Sequence, residues 1–315
     1  MKDTFLREVN YLRISVTDFC NLRCTYCMGK DGVSRLPHDS IMSPERIKEV
    51  VDEAVKLGIT KVRITGGEPL VRKGILDICR YISSNPKIKE LCLTTNGTLL
   101  EQFAKSLKEA GVDRLNISLD TLNKDKYRKI TRVGDLDDVL KGIKAAKEAG
   151  FDNIKINTVL IGEFNDDEIK DFANYAADNQ LTLRFIELMP IGVSSSFDKK
   201  CFISNDIILK KLESLEYEDT DGVSRNYVYK HNGHQTKIGL ISPLSKRFCE
   251  SCSRIRLTAD GKLKPCLHSS LELSTNGLEG EDLKEMIKKA ILLKPKEHHL
   301  ESGSESLRKM HEIGG

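Results

Sequence analysis

Three cysteines near the start of the chain, Cys20, Cys24 and Cys27, sit in a C-x3-C-x2-C spacing within Asp-Phe-Cys-Asn-Leu-Arg-Cys-Thr-Tyr-Cys-Met. Three thiolates on one short loop can hold three irons of a four-iron cluster, one sulfur to each. The fourth iron then has no protein ligand, and an open metal position is where chemistry can happen. A structural zinc loop is the plainer reading. Zinc normally wants a fourth protein ligand to close its tetrahedron, and none follows at close spacing. A second trio, Cys249, Cys252 and Cys266, follows a C-x2-C-x13-C spacing. Here a zinc ribbon with His268 as fourth ligand stays open beside the cluster reading. Arg254 and Arg256 stand next to this trio. In a strand they would point the same way, and paired guanidinium groups are suited to fork phosphate oxygens. The plainer reading is two surface arginines.

The elements that must position these groups alternate. Strands are predicted at Leu12–Thr17, Lys61–Thr65, Glu90–Thr95, Arg114–Asp120, Asn153–Leu160 and Leu181–Met189. Helical stretches lie between them. One opens at Ser43 with Pro44 at its first position and buries Ile47, Val50, Val51 and Ala54. Another runs through Leu99–Ala110, and a third ends at Ala149. A fourth starts at Asn165, with Glu168 three residues on as in a capping box. Six strand–helix repeats argue for a parallel sheet with right-handed crossovers. The strands alternate with period two. Leu12, Ile14, Val16, Val62, Ile64, Leu115, Ile117, Leu119, Ile154 and Ile156 should face the helices. The opposite face carries Arg13, Ser15, Thr17, Arg63, Thr65, Thr94, Asn116, Ser118, Asp120, Lys155 and Asn157. Burying unpaired charges in a dry core costs several kcal/mol each, so a wet lumen holding a polar, anionic ligand is the better account. A sheet face open to solvent is the alternative. Turns at Thr65-Gly66-Gly67-Glu68-Pro69, Thr94-Thr95-Asn96-Gly97 and Met189-Pro190-Ile191-Gly192 follow strands, where ligand sites of parallel α/β folds gather.

After Gly192 the character changes. Val193–Ser196 reads as a linker, and Tyr227–Tyr229, Asn232-Gly233 and Lys237–Ser242 read as a hairpin. Leu215–Ser224 has no clear assignment. The charged end reads as frayed, with His298, His299 and His311 solvated. The 315 residues suffice for one large α/β domain plus an appendage. A formal net charge of +3 is too small to argue for nucleic acid by itself, none is expected as partner, and no apolar run approaches membrane-spanning length. The first residues lack the apolar stretch of a secretion signal, which predicts a cytoplasmic protein whose nine cysteines are ligands and core fillers. Cys79 falls at helical spacing with Ile75, Ile78 and Ile82, and Cys92 lies in a short strand. Cys201 has no account.

Taken together, the first cysteine loop with its aromatic Tyr26, the GGEP turn, an NISLD strand, RFIELMPIG, FCxxCxRIRLTxDGKLxxCL and a Gly-Gly end resemble the radical S-adenosylmethionine (SAM) superfamily and, within it, the GTP 3′,8-cyclase family of molybdenum cofactor biosynthesis. The similarity runs in the same order over nearly the whole chain. It implies an α/β fold, an incomplete (β/α)6 TIM-type barrel over residues 1–192, whose open side a C-terminal α+β region (193–315) closes. Two [4Fe-4S] clusters are implied, one on Cys20, Cys24 and Cys27 with SAM on its open iron, the other on Cys249, Cys252 and Cys266 facing the guanine of GTP. Tyr26, Gly67, Ser118 and Met189 match positions that line the SAM site. Arg13, Arg63, Thr94, Lys155, Arg254 and Arg256 match GTP contacts, with Lys61 and Arg184 as further positions of that kind. The Gly314-Gly315 tail would reach into the active site, against the frayed reading.

The reaction implied is radical ring closure. A 5′-deoxyadenosyl radical takes the C3′ hydrogen of GTP, the C3′ radical attacks C8, and reduction through the second cluster, with uptake of a proton, gives 3′,8-cyclo-7,8-dihydro-GTP. No side chain is the main catalyst. The partners implied are an external electron donor and a downstream cyclic pyranopterin monophosphate synthase, with a homodimer left open. The chain departs from the family's usual residues at Phe19, often Arg, at Gly29, often Pro, and at Ser253, often Asn. Two rivals remain. A peptide-modifying maturase with the same barrel would bring more C-terminal cysteines. A zinc-binding interaction module would leave the charged strand face unexplained.

Overall fold

The computed structural model describes residues 1–33, 37, 40–300, 306 and 308–314. Strand β1 (Tyr11–Ser15) leads to helix α1 (Pro44–Lys56). The alternation continues through β2 (Lys61–Thr65), α2 (Ile75–Ser83), β3 (Glu90–Thr95), α3 (Leu100–Glu109), β4 (Arg114–Ser118), α4 (Lys124–Thr131), α5 (Leu136–Glu148), β5 (Ile154–Leu160), α6 (Ile169–Asp178) and β6 (Thr182–Glu187). Beyond these come α7 (Asp206–Lys211), β7 (Glu216–Asp221), β8 (Ser224–His231), β9 (His234–Ile241), β10 (Arg254–Leu257), β11 (Lys262–Lys264), β12 (Leu273–Ser274) and α8 (Gly280–Leu292).

All twelve strands form one sheet in the order β12-β11-β10-β1-β2-β3-β4-β5-β6-β9-β8-β7. Strands β1 to β6 are parallel neighbours, as the six repeats predict. The C-terminal region flanks the open side by extending the sheet at both edges. Strand β10 lies parallel to β1 and β9 parallel to β6, and antiparallel strands continue outward from each. The segment left unassigned by sequence includes β7, a fully exposed edge strand. Its Glu216, Glu218, Asp219 and Asp221 discourage pairing with another chain.

The ten apolar strand residues expected to face the helices all lie in the main core. Each large aliphatic side chain buried there stabilises by roughly 1.5–3 kcal/mol. Helix α1 forms as its sequence dictates. Ser43 Oγ accepts from Arg46 N at 3.1 Å, Pro44 sits at the first position, and Ile47, Val50, Val51, Ala54 and Val55 are buried. The start of α6 differs from expectation. The Glu168 carboxylate does not close a capping box but accepts from Thr121 Oγ1 and Leu122 N, each at 2.7 Å. Asn165 bonds Ile161 N, Asp120 O and Val159 O instead of capping a helix. Buried backbone groups after β4 and β5 thus claim both side chains. Val193–Ser196 is no open linker either: it lies in a 3-10 turn in which buried Ser194 donates to Met189 O at 2.6 Å.

Candidate active site

Both cysteine trios line one cavity of about 590 Å³. All six thiols are free. Their placement follows from strand direction. The first trio follows the carboxyl end of β1. Cys252 precedes the amino end of β10, which runs parallel to β1. The two trios therefore sit toward opposite ends of β1, a five-residue strand roughly 13 Å long at about 3.3 Å per residue.

At the first end the Gly-Gly turn has a specific task. Gly67 N donates to Thr17 O at 2.7 Å and Glu68 N to Phe19 O at 2.9 Å. A Cβ on Gly67 would lie 2.4 Å from Phe19 O, so only glycine lets the turn press against the cysteine loop. Glu68 is buried and accepts from Leu70 N, Thr95 Oγ1 and Asn96 N at 3.0, 2.8 and 2.7 Å, which ties this turn to the one after β3. Burial raises its carboxyl to about 7. From the other side, Arg132 donates to Arg23 O and Met28 O and clamps the loop to the end of α4. Tyr26 donates to Asp120 Oδ2 at 2.7 Å, and burial raises Asp120 to about 6. Burial likewise pushes the Cys20 thiol up to about 11 and Cys27 up to about 12. Phe19, where the family often has arginine, receives the Arg23 guanidinium 5.9 Å from its ring centroid.

The second end is cationic. Burial alone would raise the Cys252 thiol, but Arg254 and Lys294 outweigh it and bring the group down to about 6. Lys294 Nζ bonds Arg254 O at 2.6 Å and Pro265 O at 3.1 Å, and lies 3.7 Å from Cys252 Sγ. His268 is buried in the cavity wall with its ring centroid 4.8 Å from that of His298. His298 and His311 are buried, contrary to the solvated reading, and only His299 of the three is exposed.

Strand register supplies what spacing could not. Arg13 is directly opposite both Arg256 and Arg63, so Arg256–Arg13–Arg63 form one row across β10, β1 and β2. Below it runs Arg254–Tyr11–Lys61. Like charges opposite one another on neighbouring strands destabilise a sheet. The partners resolved for two of them are neutral. Arg63 donates to Tyr11 Oη and to Thr94 Oγ1 at 3.2 Å, and Arg256 to Ile313 O and Gly314 O at 3.2 and 2.8 Å. Burial and Arg254 lower Arg256 to about 10. The row is built to receive an anion.

The tail is inside, not frayed. His311 Nδ1 lies 3.4 Å from Cys27 O, Ile313 is buried, and Gly314 takes a φ of +64° against Thr65. Gly315 lies outside the described residues. Of the sequence-predicted site residues, Tyr26, Gly67, Ser118, Met189, Arg13, Arg63, Thr94, Arg254, Arg256, Lys61 and Arg184 all line the cavity. Lys155 does not. It is buried near Arg184 and Arg114; burial first and those charges second lower it to about 7. Sequence reasoning gave no role to Glu68 or Lys294, nor to Glu187, whose buried carboxylate accepts from Asn205, Leu244 and Ser245 backbone N–H groups. Lone charged residues in loops give no signal of what they will hold. Cys79 is a core residue as expected, whereas Cys92 is buried on the lumen side, in register with Arg63 and Arg114 and accepting from Arg114 Nη2 at 3.2 Å. Cys201 packs at the edge of a small apolar cluster with Phe164 and Phe202.

The fold, with a C-x3-C-x2-C loop after its first strand, is that of the radical SAM enzymes. Residues 14–176 match the Radical SAM superfamily and 181–300 match Molybdenum Cofactor Synthesis C. The chain is 47% identical to the GTP 3′,8-cyclase of Alkaliphilus metalliredigens over 100% of both chains. It is 51% identical to that of Peptoclostridium acidaminophilum, over 99% of this chain and 98% of the relative. The chain belongs to the GTP 3′,8-cyclase family. Among solved structures, Streptococcus suis SuiB bound to precursor peptide SuiA has a TM-score of 0.64 at 16% identity, covering 98% of this chain and 70% of its own. The anSMEcpe structure with bound AdoMet has 0.58 at 17%, covering 92% and 82%. These likenesses concern the fold alone. Among the described residues, no helix is long and apolar enough to cross a membrane.

Proposed function

We propose that this chain converts GTP to 3′,8-cyclo-7,8-dihydro-GTP as a radical SAM lyase, the activity its relatives are named for, with two [4Fe-4S] clusters and SAM as cofactors. The donor sets fit: two trios of unlinked thiols on one cavity, each able to hold three irons of a cube. When bound, the first cluster and SAM supply a 5′-deoxyadenosyl radical, which is the hard part of the chemistry.

The observation that carries the reading is the arginine row lying between the two trios. SAM has a net positive charge and GTP is a polyanion. The first end holds Glu68 and Asp120, the second holds Arg254, Lys294 and Arg256. Charge complementarity therefore favours SAM beside Tyr26, Gly67, Ser118 and Met189. It favours the triphosphate on Arg13, Arg63, Arg254 and Arg256, with Thr94, Lys61 and Arg184 beside them. Lys155 acts from behind the wall as a further positive charge. These residues hold the two substrates end to end, fix their relative orientation and keep water out, which is the protein's share of such a reaction. Ser253 serves through its backbone, its carbonyl accepting from Asn10 N and Tyr11 N at 3.2 Å, so the loss of an asparagine amide there leaves the strand anchor in place.

An external one-electron donor, a downstream cyclic pyranopterin monophosphate synthase and a cytoplasmic setting complete the proposal. So does a homodimer, which size-exclusion chromatography of reconstituted protein decides. Anaerobic incubation with GTP, SAM and dithionite should give a product isomeric with GTP and one 5′-deoxyadenosine per turnover. 5′-Deoxyadenosine released with GTP unconsumed would overturn the reading.

A further inference from the structure

The segment 308–314 is held at two points, and both lie on the same pair of strands. At its far end, Arg256 of β10 donates to Ile313 O and Gly314 O. At its near end, Arg308 forks two carboxylates. Its Nη2 reaches Asp260 Oδ2 at 2.8 Å and Glu272 Oε2 at 2.8 Å, and its Nε reaches Glu272 Oε1 at 2.6 Å. Asp260 sits in the turn between β10 and β11. Glu272 is steadied by the buried Lys264 of β11 at 3.3 Å, and Lys264 pairs in register with Arg256. The two grips are thus joined through one short ladder, and the chain continues directly from that ladder to Cys266.

A bidentate guanidinium–carboxylate fork fixes direction as well as distance. Here it fixes where the segment turns inward. Six residues further on, Gly314 meets Thr65 so closely that a Cβ would lie 2.0 Å from Thr65 Oγ1. Such a fit tolerates no slippage of a residue at the entry point. We infer that Arg308 is a positioning residue for the reaction. Through Asp260 and Glu272 it sets the register of the tail, so that Gly314 arrives at Arg256 in the cavity between the two cysteine trios. The kinetic part of this inference rests on the cyclase reading, while the structural part does not.

The test compares Arg308→Ala, Arg308→Lys and Asp260→Asn in the 315-residue chain. Carboxypeptidase Y digestion of metal-free protein, followed by release of Ile313, reads the tail without GTP, SAM or iron. Arg308→Ala should release Ile313 at least tenfold faster than wild type, and Arg308→Lys and Asp260→Asn should fall between. In reconstituted protein, Arg308→Ala should lower kcat tenfold or more with GTP KM within about threefold and the iron content unchanged. Equal digestion rates for Arg308→Ala and wild type would overturn the inference. So would fast digestion with unchanged kcat, or a kcat loss that merely tracks lost iron. If digestion behaves as expected and no variant, wild type included, makes cyclised product, the tail anchor stands and the cyclase reading falls.

Discussion

The two ends of the cavity offer the same donor set in opposite electrostatic settings. Around Cys20, Cys24 and Cys27 burial pushes the thiols far up, and the acids Glu68 and Asp120 add to it, against a smaller opposing pull of Arg23 on Cys20. Around Cys252, Arg254 and Lys294 bring the thiol down to about 6 against burial. The cationic neighbours ease Cys252 toward the thiolate, whereas burial still raises Cys249. At the first end only the positive charge of iron makes three thiolates affordable in a low-dielectric wall. The contrast gives the cavity polarity along its length. On the proposed reading the acidic end takes the cationic sulfonium and the basic end takes the polyphosphate.

The largest effects should come from breaking one end at a time. Gly67→Ala drives the Gly-Gly turn and the Asp18 and Phe19 carbonyls of the cysteine loop apart and should cut bound iron from about eight to about four per chain, with all turnover lost. Cys266→Ala should also leave about four irons but should retain SAM binding; equal loss of SAM binding in both variants would show that the ends are not independent. Next, Arg13→Ala removes the middle of the arginine row. Loss of a charge-assisted contact of about 1.5–3 kcal/mol should weaken GTP binding roughly ten- to hundredfold. Calorimetry should find SAM affinity unchanged. Lys155, lowered to about 7 by burial and by Arg184 and Arg114, sharpens the same point through pH. A bound polyanion favours the protonated amine, so its help is present below about 7 and is lost as pH rises through it. GTP affinity should fall by up to roughly tenfold per unit between pH 7 and 9, and Lys155→Met should flatten that slope. The smallest effect is Ser43→Ala, which removes the α1 cap. It should cost about 1 kcal/mol in chemical denaturation and disturb neither end.

Local chemistry was readable from sequence; distant pairing was not. The Ser43–Pro44 helix start, the period-two strands and both cysteine spacings each depend on residues a few positions apart, and each has its counterpart in the structure. The arginine row depends on Leu12 pairing with Ile255, and no local pattern encodes that register. Arg256 looked like half of an adjacent pair with Arg254, yet its strand neighbour is Arg13. The Asn165–Glu168 capping box failed because Thr121 and Leu122, more than forty positions away, took the carboxylate. The buried tail was legible only through the family resemblance: taken residue by residue its charged end reads as solvated, because Arg308 finds its partners in the distant Asp260 and Glu272.

Strand β1 acquires its second neighbour only from Arg254–Leu257, near the other end of the chain. At about 5–20 residues per second of synthesis, roughly 10–50 seconds separate the two strands at the ribosome. Through that interval the nascent barrel has an open edge beside the residues that lead into Cys20. The β1 edge is therefore completed only once Arg254–Leu257 has emerged, and a ribosome-bound fragment arrested before Arg254 should hold iron less tightly than the full chain.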